Sequence, residues 1–277
     1  MTVLEMTGVV AGGSLAAGLL GALTGLGGGV VIVPFLTLVL GVDIRYAIGA
    51  SLVSVIATSS GAAAAYVREG YTNMRIGMFL EVATTLGAIV GAHVATRAPT
   101  SAIAALFGGV LLYSALPVRH REDVLAPEAS DALARRLRLP ATQPTPAGPV
   151  AYGVRGVPAG FGVMGVAGVL SGLLGVGSGA VKVLALDRAM HLPFKVSTTT
   201  SNFMIGVTAA ASAGIYLTRG YIDPGLAMPV VLGVLAGSML GARLLVLAPV
   251  GPLRRLFSLV LVVLGAEMIW HAWTGMP

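Results

Sequence analysis

Apolar stretches and short polar breaks alternate along this chain, with one long interruption in the middle. The apolar stretches run at about 6–23, 26–41, 46–66, 76–96 and 101–117, and again at about 158–174, 176–190, 196–217, 225–247 and 254–272. A helix needs about 20 residues to cross a bilayer, within a range near 17–25, and most of these stretches meet that length. The second stretch of each set is short and follows a glycine cluster, which predicts a poor span or a re-entrant hairpin with its predecessor. The interruption, residues 118–157, is different material, with six arginines, four acids and five prolines. Within it Pro127, Glu128 and Asp131 suit a helix start, and Arg135, Arg136 and Arg138 suit its end. This predicts one short surface helix between flexible, proline-rich arms.

The two sets are copies of each other. Residues 25–29 read Gly25-Leu26-Gly27-Gly28-Gly29, and residues 175–179 read Gly175-Val176-Gly177-Ser178-Gly179. The same offset of 150, without a gap, pairs Ser51 with Ser201, Tyr66 with Tyr216, Gly70-Tyr71 with Gly220-Tyr221, and Gly87 with Gly237. It continues through Gly91-Ala92 with Gly241-Ala242, Pro99 with Pro249, and Leu106-Phe107 with Leu256-Phe257. The chain therefore divides into a first repeat at 1–117, a linker at 118–157 and a second repeat at 158–277. Duplicated halves with interrupted apolar segments are the sequence mark of a secondary transporter's binding site.

Composition sharpens this. Only 10% of the 277 residues are charged and the mean hydropathy is +0.91, against about a quarter charged in soluble domains. Soluble domains of this length could not hide so much apolar surface. The expected fold class is an all-α integral membrane protein with two inverted-topology helical repeats, glycine-broken or re-entrant segments, and about 8–10 membrane segments.

Charge decides the inversion. If residues 6–41 cross twice, or enter and leave on one side, each half has odd parity. With the linker cytoplasmic, 13 Lys and Arg then fall inside and only Arg45, Arg97 and Arg219 outside. A single crossing gives an uninformative nine-to-seven split. The preference of cytoplasmic loops for Lys and Arg selects the inverted arrangement, with both termini outside. Because 16 of the 17 Lys and Arg lie in or beside breaks between apolar segments, the net charge of +6 is a topology signal. Nucleic acid is not an expected partner. The first apolar stretch lacks a basic leader, so a cleaved signal peptide is not expected.

Candidate chemistry concentrates at the breaks. Unwound glycines expose backbone N–H groups at a helix start, where these groups and the helix dipole hold an anion without a formal charge. The candidates are Gly25, Gly27, Gly28, Gly29, Gly175, Gly177, Ser178 and Gly179. Close helix packing through small residues is the competing explanation. The run Ser197-Thr198-Thr199-Thr200-Ser201-Asn202 caps a helix or offers donors. In the second case Ser51, Thr200, Ser201 and Asn202 donate to the oxygens of an oxyanion. Lys182 lies three residues past Gly179 inside an apolar stretch, where the first copy has Ile32. It either snorkels or pairs with Asp187, or supplies a positive centre for substrate or coupling. Glu81 and His93 are boundary or packed polar residues, or proton carriers. Glu267 belongs with Trp270, His271 and Trp273 in an interfacial belt.

Other chemistry finds no support. The chain has no cysteine, which excludes disulfides, thiolate metal sites and cysteine nucleophiles. It has no His-Glu-x-x-His helix, Gly-x-Ser-x-Gly elbow or Walker loop. No catalytic residue, metal or cofactor is expected, and four scattered His argue against a membrane-embedded enzyme.

The Gly-x-Gly-Gly-Gly pattern followed by Pro34, the stretch Gly49-Ala50-Ser51-Leu52, the Gly70-Tyr71 turn and the degenerate second copy resemble the sulfite/sulfonate exporter (TauE/SafE) family of membrane permeases. The resemblance covers nearly all of the chain outside the linker. It implies a secondary transporter of sulfite, organosulfonates or small organic acids in a prokaryotic inner membrane. The family's motif positions map to Gly25, Gly27, Gly28, Gly29, Pro34 and Ser51, and to Gly175, Gly177, Gly179 and Ser201 in the second copy. Ser178 and Leu184 depart from the pattern. The expected activity is alternating-access export of a small sulfur-containing anion, with an anion channel or a carboxylate permease as alternatives. The expected partners are that anion and membrane lipid, and a homodimer is compatible with them.

Overall fold

The computed structural model describes residues 3–24, 28–68, 70–115, 125–145, 148–247 and 250–274. The first half runs through α1 (Val3–Thr24), the short α2 (Gly29–Pro34), α3 (Ile44–Arg68), α4 (Met74–Ala95) and α5 (Thr100–Ala115). The second half repeats this as α7 (Val157–Leu174), the short α8 (Gly179–Leu184), α9 (Phe194–Thr218), α10 (Pro224–Leu247) and α11 (Val250–Thr274). Met74–Ala95, Val157–Leu174 and Pro224–Gly241 are each long and apolar enough to cross a membrane. Large apolar side chains such as Met78, Val82, Leu86 and Val90 of α4, or Leu259 and Val263 of α11, stand exposed on their outer faces. Water would penalise such a surface, and lipid does not. The protein is an all-α integral membrane protein.

The short second segments return along their predecessors. In the first half a methyl added to Gly28 would touch Gly18, and one added to Gly13 would meet the Phe35 ring, so the chain after the break runs antiparallel to α1. In the second half Ser178 lies against Ala167, and Gly160 against Met190, giving the same hairpin. Both short helices widen into one looser turn, Phe35–Val39 and Ala185–Ala189. Since Leu184 stands where the first copy has Pro34, proline is not what widens the turn. Each hairpin therefore returns toward the end from which its first helix starts.

The halves interlock by a two-fold relation. α1 packs on α10, α4 on α7, α3 on α9 and α5 on α11. Glycines let the swapped pairs approach to backbone contact: Gly87 faces the Gly165 carbonyl, and its copy Gly237 faces the Leu15 carbonyl. Gly18 against Val234 is likewise repeated as Gly168 against Thr84. Arg45 sits 5.7 Å over the Tyr221 ring and its copy Lys195 sits 5.3 Å over Tyr71. The self-paired helices are antiparallel. Gly49 at the start of α3 meets Tyr221 beyond the end of α9, while Ser59 further along meets Gly206. Ala115 at the end of α5 similarly meets Ser258 near the start of α11. A two-fold axis that turns a helix into an antiparallel mate must cross the helix axes, so for spanning helices it lies in the membrane plane. That is inverted topology.

The linker differs from expectation. A helical turn at Pro127–Ala129 and the short α6 (Ala132–Arg136), with Asp131 capping Ala134 N–H at 2.7 Å, supply the expected surface helix. The arm after it is a β-hairpin, β1 (Ala141–Thr145) on β2 (Gly148–Tyr152), not a flexible tether. Leu139, Tyr152 and Val154 are buried with Ile76, Leu80 and Met190 of the membrane helices. Asn73 binds the pieces: its amide nitrogen donates to the Leu139 carbonyl at 3.0 Å and to the Tyr152 hydroxyl at 2.8 Å. Its backbone N–H donates to Thr200 Oγ1 at 3.0 Å. Burial lifts the Tyr152 phenol to about 12, against the opposing Asn73 hydrogen bond, so it stays neutral.

Candidate functional site

The second break follows directly from its residues. α7 stops at Leu174 because Gly175 takes a left-handed conformation, φ +67°, followed by Gly177 at +69° and Ser178 at +42°. Glycine adopts these angles at no steric cost, whereas Ser178 is held there by donating to the Ala167 carbonyl at 2.5 Å. Ser51 Oγ donates to the Gly175 carbonyl at 2.8 Å and lies 3.5 Å from the Gly29 carbonyl. Its copy Ser201 lies 3.4 Å from the Gly179 carbonyl. Gly29, Ser51 and Gly175 therefore meet where the two halves touch, while Ser201 and Gly179 pair within the second half. Gly177 packs against Ile205, and Gly28 against Val234. Gly25 and Gly27 lie outside the described residues.

The hydroxyl run divides. Thr198 and Thr199 bond back to the Phe194 and Lys195 carbonyls within their own helix, as side chains at a helix start do. Thr200 accepts from Asn73, and Asn202 is half-buried on α9. Beside the breaks, a cavity of about 20 Å³ is lined by Val30, Phe107, Ser114, Leu174, Ser178 and Gly179. It has room for about one water, so this cavity is too small for an oxyanion. A cleft of about 250 Å³ opens between the α3–α4 turn and the hairpin, lined by Tyr71, Thr72, Arg75, Thr142 and Tyr152 among others.

The Lys182 side chain enters the contact of α8 with α9 and α4. It is fully buried, and its Nζ donates to Thr208 Oγ1 at 2.6 Å. Thr208 Oγ1 in turn lies 2.7 Å from Glu81 Oε1, which also accepts from Thr85 at 3.2 Å. Because the ammonium occupies the hydroxyl's lone pair, the Thr208 proton is directed to the carboxylate as a charge-assisted bond. The result is an ammonium–hydroxyl–carboxylate chain with Glu81 from the first half and the other two groups from the second. His93 is exposed, and Glu267 is exposed 4.0 Å from His271.

A family model, the sulfite exporter TauE/SafE family, matches residues 10–268. The chain belongs to the TauE/SafE family. Among its relatives are two proteins of Bacillus subtilis, each named a probable membrane transporter protein. YunE is 27% identical over 93% of this chain and 95% of its own, and YdhB is 29% identical over 81% and 84%. A probable membrane transporter protein of Xylella fastidiosa is 25% identical over 100% of this chain and 99% of its own. No solved structure matches. The protein is thus a membrane transporter of this family.

Sequence reasoning about this TauE/SafE member found Lys182 but missed its bond to Thr208 and Glu81. A signal existed. Position 81 is Glu where the second copy has Val231, and position 182 is Lys where the first copy has Ile32. Two opposite charges that each break the repeat are natural partners, and the two-fold relation brings their positions together.

Proposed function

We propose that this transporter exports a small sulfur-containing anion, sulfite or an organosulfonate, across a prokaryotic inner membrane by alternating access. The observation that carries this reading is Lys182: a fully buried cation where two inverted halves meet, close after a glycine break. A cation so placed is costly in a membrane unless it serves a negative solute or partner. The description of the family supplies sulfite and the outward direction. In the reading, the halves rock about the breaks and open the closed contact around Lys182. Backbone amides at Gly28, Gly29, Gly177, Ser178 and Gly179 surround the anion, while the Gly175 amide stays bonded to the Ser171 carbonyl at 2.8 Å, and Ser51, Thr200, Ser201 and Asn202 add polar contacts.

Purified protein in liposomes loaded with sulfite is expected to show saturable counterflow of labelled sulfite, competed by sulfoacetate. Single-channel currents in planar bilayers would instead establish a pore. Topology is tested cleanly because the chain has no cysteine of its own. Glu128→Cys is expected to react with an impermeant maleimide only from the cytoplasmic side, and Thr274→Cys only from outside. Labelling of both from one side would refute the orientation.

A further inference from the structure

We propose that Glu81 is a tethered stand-in for the transported anion, and that it lets the empty carrier recross the membrane, making this protein a net transporter instead of an obligatory exchanger. The proposal rests on the anion-transport reading above and concerns the half of the cycle in which nothing is bound.

The geometry provides the argument. Lys182 is 0% exposed, so in this conformation its charge has only protein around it. Its hydrogen bond runs through Thr208 to one carboxylate oxygen of Glu81, at 2.6 and 2.7 Å. The other oxygen, Oε2, is buried and has no hydrogen-bond partner among the described residues. A carboxylate thus occupies the place an oxyanion would take, linked to the ammonium by a bridging hydroxyl.

The surroundings single out Glu81. α7, which packs along α4, contains no titratable residue, and the basic residues of α9 and its cap, Lys195 and Arg219, stand at its two ends. On α4 itself Arg75 and His93 are exposed. Asp187, buried on the wide turn after α8, is the remaining acid in this region. The centre is also single. At the positions related by the repeat, Lys182, Thr208 and Glu81 become Ile32, Thr58 and Val231. Thr58 donates to the Ser54 carbonyl at 3.0 Å, and Thr208 Oγ1 lies 2.9 Å from the equivalent Met204 carbonyl, so the framework is kept and only the charges, with the turn of the Thr208 proton toward Glu81, are added.

The consequence is a difference between two crossings. Without Glu81, an empty carrier must close around a bare ammonium, which is unfavourable in a medium with no water. With Glu81, it closes around a neutral pair. When the site opens and an anion takes the ammonium, the displaced carboxylate loses its counter-charge. It then closes carrying a proton from the water that admitted the anion, and releases that proton with the anion on the far side. The loaded site is again neutral for a monoanion. Net movement therefore follows the combined gradients of anion and proton, whereas exchange of one anion for another never requires the bare ammonium.

The test separates these crossings in liposomes containing full-length protein and labelled sulfite. Glu81→Gln is expected to keep counterflow while net efflux falls at least about tenfold. Half-saturation for sulfite is expected to fall, since a competitor for Lys182 is gone. Glu81→Asp restores the charge and is expected to recover net efflux. If Glu81→Gln does not insert, Glu81→Met, which fills the space without the charge, is read by the same split. Equal net efflux in variant and wild type overturns the proposal, as does loss of both fluxes in a folded variant. Wild-type protein without sulfite counterflow overturns the transport reading itself.

Discussion

Lys182→Met is expected to weaken the protein's hold on sulfite and to destabilise the protein, two losses with different causes. The charge-assisted bond from a buried ammonium to an anion is worth about 1.5–3 kcal/mol, so half-saturation should rise by about one to two orders of magnitude. The stability loss comes from the partner left behind. Glu81 is 9% exposed, and removing its ammonium leaves a buried carboxylate without compensation, at a cost of about 3–5 kcal/mol. The double variant Lys182→Met/Glu81→Gln separates them. It is expected to recover most of the lost stability, measured by thermal unfolding in detergent, and none of the lost hold on sulfite. Unchanged half-saturation in the single variant would remove Lys182 from the anion site.

Gly87→Ala and its copy Gly237→Ala are expected to be comparably damaging, although alanine is the better helix former by about 1 kcal/mol. A methyl at Gly87 would overlap the Gly165 carbonyl, and one at Gly237 the Leu15 carbonyl. The obstacle in both is backbone of a neighbouring helix, which cannot swing aside as a side chain can. Overpacking of this kind costs about 1–3 kcal/mol, and membrane helices depend on such small-residue contacts because lipid supplies no hydrophobic drive between them. Gly109→Ala and Gly162→Ala are the controls, since open space lies beside both. These should be neutral or stabilising. Unfolding in detergent would show the difference, and four equal results would mean that α1–α10 and α4–α7 do not approach as described.

Much of the fold was legible because lipid makes the sequence speak plainly. In a membrane each helix must satisfy its own backbone, so every long apolar run becomes a helix with little contest from other structures. All ten apolar stretches appear as helical segments, and the short second ones return beside their predecessors as the glycine clusters suggested. The linker was less legible. Its prolines suggested loose arms, yet Pro144 and Pro149 face each other across a two-stranded ladder. Such a hairpin rests on Tyr152, Leu139 and Val154 finding an apolar surface on α4 and the α8 turn, and no local pattern announces that.

The candidate site was half legible. The glycine breaks, Ser51 and Ser201 were marked by the repeat, and Lys182 by its intrusion into apolar sequence. Thr208 carried no mark of its own, because a threonine in a membrane helix usually bonds to its own backbone. Glu81 looked like a boundary residue near the start of its helix.

The sequence alone determined which stretches become apolar helices, that they come in two copies, and where each copy is broken, since all three follow from local hydropathy and repetition. Tertiary structure alone decided that the copies interlock about an axis across their helices, bringing positions 81, 182 and 208 to one point. That step needs contacts between residues some hundred positions apart. Their proximity depends on close packing of glycine-faced helices, a property of two surfaces that neither segment carries by itself.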